Sequence, residues 1–243
     1  MSDFKSYLNC YEFDVTLPGS GDSLKIKPIV TGQLKKLLVH ENDDNPMLVD
    51  TILDELMTES VVTEGFDINS LSLQDRFYLL LELRKISKGK LYKFQMVCDK
   101  CQSQSLHAID LDALKVTKLN DKVNYDIKLD DNLTITMSYL TRGAQKEAFK
   151  RVKKTDTTTM QMADMSTLSF ASAIKSVTLP DGSNDISLDD GIYIVDNMTQ
   201  GMYDSLTQWV HDNNYGVEFK TELVCSSCGN KRELEIPLEN FFF

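Results

Sequence analysis

Two short segments, far apart in the chain, constrain it most. They are Leu91-Tyr-Lys-Phe-Gln-Met-Val-Cys98-Asp-Lys-Cys101 and Glu218-Phe-Lys-Thr-Glu-Leu-Val-Cys225-Ser-Ser-Cys228-Gly229. Each is an apolar-rich run feeding a Cys-x-x-Cys. Aligned on the cysteines, Tyr92 falls on Phe219, Lys93 on Lys220 and Val97 on Val224. Beyond the cysteines, Ile109 falls on Ile236 and Leu111 on Leu238. Both segments predict a strand, a tight turn carrying two thiols, and a second strand. Two such turns supply the ligand set of a structural zinc site, here Cys98, Cys101, Cys225 and Cys228. Gly229 eases the second turn. The long chain between the pairs does not forbid assembly, because loop-closure entropy rises slowly with length. A single shared site would staple the ends of two half-chains.

Three other readings of the thiols stay open. Each pair can be a redox-active dithiol, but that motif normally precedes a helix in a βαβ setting, and no helical pattern follows either pair. The pairs can belong to two separate metal sites, although His107 is the only histidine near the first and the second has none. Or the thiols hold no metal. Four cysteines saturate the shell that zinc prefers, so a shared site predicts structure and not catalysis. The fifth cysteine, Cys10, has no partner motif and predicts a small buried apolar residue.

Charge narrows the function classes. The chain carries 26 Lys and Arg against 37 Asp and Glu, a net charge of −11. Nucleic-acid binders present clustered cations, so this balance argues against a broad phosphate-binding surface. It also disfavours anionic membrane surfaces. No run approaches the roughly 20 apolar residues of a membrane span. The N-terminus lacks the basic and apolar regions of a secretory signal. A reducing cytosol is expected, where paired Cys-x-x-Cys motifs hold metal more often than they form stable disulfides. The three histidines, His40, His107 and His211, have neither metal-ligand spacing nor triad companions. There is no Gly-rich phosphate loop and no nucleophile elbow. The acidic pairs Asp43-Asp44, Asp130-Asp131 and Asp189-Asp190 fall at expected turns and helix starts. Lys150-Arg-Val-Lys-Lys154 reads as a solvated helix face, or as a docking patch for an acidic partner.

Along the chain, residues 6–30 predict a β-hairpin turning at Pro18-Gly-Ser-Gly21. Helices are expected from Thr31, from Pro46 after the break at Asn42–Asn45, and from a Ser72 cap to Gly89. The last of these is the most apolar and is the expected core helix. The first Cys hairpin follows, with its exit strand at 106–114. A second hairpin is expected over 124–137, then helices over 142–152, 160–177 and 189–210, then the second Cys hairpin. The fold class is therefore α+β, with two similar halves of β-hairpin plus helices, each ending in a zinc-ribbon-like Cys-x-x-Cys hairpin. The expected division is residues 1–118 and 119–243, or the two together as one compact unit.

The chain closes on Phe241-Phe-Phe243. Three aromatics at a terminus either tuck into the body or dock on a partner. Methionines at 160–165 and 198–202 suit adaptable contact surfaces, or a gap-filled core.

The run Asp75-Arg-Phe-Tyr-Leu-Leu-Leu-Glu-Leu-Arg-Lys-Ile-Ser-Lys-Gly89, followed by a strand and Cys98-x-x-Cys101, resembles tail-baseplate proteins of contractile-tailed phages. The ending Leu223-Val-Cys-Ser-Ser-Cys-Gly229, strand, Pro237-Leu-Glu-Asn-Phe-Phe-Phe243 is similar to them too. The family named by this resemblance is that of baseplate hub subunits and hub-assembly proteins of T-even-like myoviruses. It implies a non-enzymatic role in building the hub by binding other hub proteins, in the host cytoplasm during assembly or in the virion tail baseplate. It offers no catalytic residue to carry over. Two further readings compete: a zinc-ribbon adaptor for nucleic acid or the transcription machinery, and a Cys-x-x-Cys redox enzyme.

Overall fold

The computed structural model describes residues 11–39, 46–152, 158–236 and 241–242. Cys10, His40, the expected break at Asn42–Asn45, Lys153, Lys154 and Phe243 lie outside the described residues. Helices and small antiparallel sheets give an α+β fold. The chain forms two compact units. Unit 1 comprises Met1–Phe66, Phe77–Thr117 and Gly216–Phe243; unit 2 comprises Asp67–Arg76 and Lys118–Tyr215. The stretch from Gly216 onward thus belongs with the first Cys hairpin, whereas the repeated pattern placed it with the C-terminal half. The difference arises because long-range packing, not sequence order, defines a compact unit.

Unit 1 opens with strands β1 (Phe13–Thr16) and β2 (Ser23–Ile26), paired antiparallel. Of the alternating residues on the first strand and its flanks, Val15 and Leu17 are buried, while Tyr11 and Phe13 are exposed. Helices α1 (Thr31–Val39) and α2 (Pro46–Ser60) follow. Pro46 starts its helix where a missing N–H has no partner to lose. Helix α3 (Leu73–Lys88) carries the core, with Leu79, Leu80, Leu81 and Leu83 all buried. The Ser72 hydroxyl accepts from the Asp75 N–H at 3.1 Å, as the cap reading expected. Gly89, at φ 89°, ends the helix and donates to the Lys85 carbonyl at 3.0 Å.

Strands β3 (Leu91–Val97) and β4 (Gln104–Asp110) form the first Cys hairpin. The expected exit strand is cut short at Asp110, whose side chain caps a 3₁₀ turn over Leu111–Ala113. Strand β5 (Val116–Thr117) pairs with β10 (Gly216–Val217). The second Cys hairpin is β11 (Lys220–Val224) with β12 (Lys231–Glu235).

Unit 2 is organised on one sheet, in the order β6 (Asp126–Lys128), β7 (Thr134–Met137), β8 (Ile174–Leu179) and β9 (Gly182–Asp185). Here the structure departs from the sequence expectation twice. The helix expected over 160–177 stops at Ala173, and Ile174–Leu179 crosses to an interior strand paired with β7 and β9. Ile174 and Val177 suit the pleated, buried position and satisfy two strand neighbours there. Helices α4 (Arg142–Phe149) and α5 (Thr158–Ala173) precede that strand. The helix expected over 189–210 is two, α6 (Leu188–Asn197) and α7 (Gln200–Asp212), divided where Thr199 caps the second. Ser187 and Asp190 form a capping box on the first. The core gathers Ile135, Met137, Ala171, Ile174, Val195, Leu206 and Trp209.

The approach of α5 to α6 depends on Gly191. A Cβ placed there would lie 2.6 Å from the Ala171 carbonyl oxygen. Alanine normally stabilises a helix interior relative to glycine. At this position the clash reverses the sign. Gly191→Ala is expected to destabilise unit 2 by about 1–3 kcal/mol, read as a lowered midpoint in thermal unfolding.

Candidate metal centre

The two Cys hairpins converge within unit 1. The knuckles are built alike. In the first, the Cys98 N–H donates to the Ser103 carbonyl at 2.9 Å and the Gln102 N–H donates to the Cys98 carbonyl at 2.8 Å. In the second, the Cys225 N–H donates to the Asn230 carbonyl at 2.8 Å and the Gly229 N–H donates to the Cys225 carbonyl at 2.9 Å. Both turns need a left-handed residue just after the second cysteine. Gly229 supplies it at φ 69°, and Gln102 at φ 57°. Sequence reasoning singled out the glycine and missed its strained counterpart.

All four thiol sulfurs lie within 4.8 Å of one another, a set that can hold a metal ion. Two approaches run between hairpins: Cys98 Sγ to Cys228 Sγ, and Cys101 Sγ to Cys225 Sγ, each at 3.7 Å. Cys98 and Cys225 are buried, Cys101 and Cys228 exposed. The Ser103 hydroxyl sits between the hairpins, 3.0 Å from Cys101 Sγ and 3.4 Å from Cys225 Sγ.

These contacts divide the thiols electrostatically. The Ser103 hydroxyl, helped by the backbone N–H groups of Cys228 and Ser227, holds Cys225 down at about 5. The same hydroxyl, with the Ser103 N–H, lowers Cys101. At Cys228 the Asn230 N–H favours the thiolate. The Cys101 thiol, burial and the two remaining thiols outweigh it and push Cys228 up to about 12. Cys225 and Cys101 thus give up their protons readily, and Cys228 holds its own hard. A bound cation removes that obstacle, because it favours the charged form of every sulfur at once.

Around the sulfurs, Arg232 on β12 reaches across to the first knuckle. Its guanidinium pairs with the Asp99 carboxylate and places Nη2 3.0 Å from Met96 Sδ. A small cavity between the hairpins is lined by Met96, Cys98, Ser105, His107, Cys225 and Arg232, among others. His107 is no member of the sulfur cluster. Its Nε2 lies 2.7 Å from the Ser105 hydroxyl and its ring stacks on Phe94. Ser103 and Arg232 carried no motif in the sequence. Ser103 stands two residues beyond a cysteine, where Asn230 stands in the other knuckle, and only their geometry distinguishes them.

Of the closing aromatics, read as tucking into the body or docking on a partner, two are described. Phe241 is 1% exposed and Phe242 4% exposed. Phe241 packs edge-on against Tyr92 and Phe219, and its carbonyl accepts from Arg84 Nε. Arg84 is itself buried, and its Nη1 donates to the Gly89 carbonyl at 2.6 Å. Burial holds its pKa below the usual guanidinium value. Both rings are buried within the chain itself. The basic run is also occupied where described: Lys150 pairs with Glu147 at 2.5 Å and Arg151 with Asp189. Met160, Met162 and Met165 remain exposed on α5. No helix among the described residues is long and apolar enough to cross a membrane.

A family model described as T4 bacteriophage base plate protein matches residues 10–243. No curated protein and no solved structure matches the chain.

Two outcomes follow from the local geometry. Gln102→Gly relieves a left-handed side chain and Gly229→Ala creates one, each by about 1 kcal/mol. Thermal unfolding should therefore shift up for the first and down for the second. Arg84→Met leaves the Phe241 carbonyl buried without its donor and removes the donor to the Gly89 carbonyl. It is expected to cost roughly 1–3 kcal/mol and to hasten carboxypeptidase trimming of the C-terminus.

Proposed function

This chain belongs to the T4 bacteriophage base plate protein family, and we propose that it acts there as a hub structural or assembly protein. It works through protein–protein contacts, without catalysis, and a structural zinc ion held by Cys98, Cys101, Cys225 and Cys228 stabilises it. The single observation that carries the role is the match over residues 10–243, which spans both units. Its partners are other baseplate proteins. It meets them in the host cytoplasm during assembly and takes its place in the tail baseplate.

The zinc reading rests on the sulfur spacing. A tetrahedron drawn at a zinc–thiolate distance of about 2.3 Å has edges of about 3.8 Å. The two cross-hairpin sulfur pairs, at 3.7 Å, match that edge. Four thiolates fill the shell of a structural site and leave no open position for a substrate. The thiols are drawn from both hairpins, so the ion fastens one to the other.

The matched hydrogen bonds of the two knuckles further support an ancient duplication. One hairpin–helices–knuckle unit would then have given both halves of the chain, and the second knuckle closes on the first.

Assembly is the test of the role. Phage lacking this chain are expected to yield no complete baseplates, and the purified chain should bind at least one other baseplate protein in pull-down. Phage carrying Cys98→Ser with Cys225→Ser should assemble at a fraction of the wild-type yield. Normal baseplates in the absence of the chain would overturn the proposal.

A further inference from the structure

The zinc reading leaves a charge unaccounted for. A zinc ion with four thiolates carries two negative charges, and Cys98 and Cys225 bring two of those sulfurs out of water. A buried net charge is costly unless a partner compensates it. The cavity between the hairpins contains such a partner. Arg232 lines it together with Cys98 and Cys225. Its side chain is 27% exposed, so most of it is withdrawn from solvent. Its Nη atoms are engaged by Asp99 and Met96, whereas its Nε is buried with no hydrogen-bond partner in the protein. A buried guanidinium N–H without an acceptor is expensive. Lining the same cavity as two of the sulfurs, it would meet a stabilising negative field once they are thiolates.

Resting on the zinc reading, we infer that Arg232 is the charge-compensating residue of the tetrathiolate centre, and that Asp99 competes with the centre for its guanidinium. Arg232 comes from the strand leaving the second knuckle, and Asp99 sits inside the first. The arrangement therefore also ties the metal's charge to the pairing of the hairpins. The other titratable side chain on the cavity wall is His107, whose Nε2 is held by Ser105. Lys231, next in sequence to Arg232, pairs with Glu222 instead.

The inference makes a prediction of opposite signs. Removing the cation weakens zinc binding, and outer-shell partners of metal ligands typically change affinity by about 10–100-fold. Removing the competing carboxylate does the reverse, because the whole cation is then free to face the sulfurs. A merely structural ion pair would be broken equally by either change, and both variants would lose zinc.

The experiment is chelator competition for zinc on the full chain, comparing wild type with Arg232→Gln, Arg232→Lys and Asp99→Asn. Expected are at least 10-fold weaker zinc binding for R232Q, near wild-type binding for R232K, and binding at least as tight as wild type for D99N. Parallel losses in R232Q and D99N would overturn the inference, as would R232Q that binds like wild type. Should R232Q fail to fold, D99N alone decides: weaker retention overturns the inference, and equal or tighter retention supports it. A wild-type chain that takes up no zinc would instead defeat the reading of the site itself.

Discussion

Unit 1 is assembled from separated stretches of chain, and the meeting of two thiol-bearing hairpins joins them. One hairpin leaves the core helix α3; the other begins only after the chain has built the sheet and helices of unit 2. Bringing them together costs the closure entropy of a long loop. What opposes that cost is local and chemical: four sulfurs within 4.8 Å, a hydroxyl shared between two of them, and an arginine crossing from one hairpin to the opposite knuckle. Within this crowding Cys225 is held down and Cys228 is pushed up. A tetrahedral cation, the occupant proposed above, would let all four sulfurs be anionic together.

The terminal aromatics depend on the same closure. Phe241 reaches Tyr92, which belongs to the first Cys hairpin, and Phe219, which leads into the second. Arg84 then fixes the Phe241 backbone from below with a buried guanidinium. Hydrophobic packing and a charge-assisted hydrogen bond thus act where the two hairpins begin, and the sulfur cluster acts at their knuckles.

The Cys hairpins were legible in the sequence because spacing alone announces them: an apolar strand pattern, two thiols, and a return strand. The core helix was legible from its leucines, and the caps at Ser72 and Gly89 from local chemistry. Other features were hidden for identifiable reasons. The run through Ile174 and Val177 is apolar enough to continue a helix, and only its pairing with Thr134–Met137 makes it a strand. The break at Thr199 is a cap inside a periodic stretch whose apolar spacing carries on across it. Gln102 shows no sign of its left-handed backbone, because the turn imposes the conformation and the residue merely tolerates it. Phe241 and Phe242 carry the same composition whether they face a partner or a core. The acceptor role of a backbone carbonyl toward Arg84 decides it, and no side-chain pattern encodes that.

The chain belongs to a baseplate family, and four close sulfurs stand where the two Cys hairpins of unit 1 meet. The most direct test is native mass spectrometry of the intact purified chain, with and without Cys225→Ser. One zinc ion per wild-type chain, lost in the variant, is the predicted result. A folded wild-type chain carrying no zinc, or two zinc ions per chain, would contradict a single shared centre.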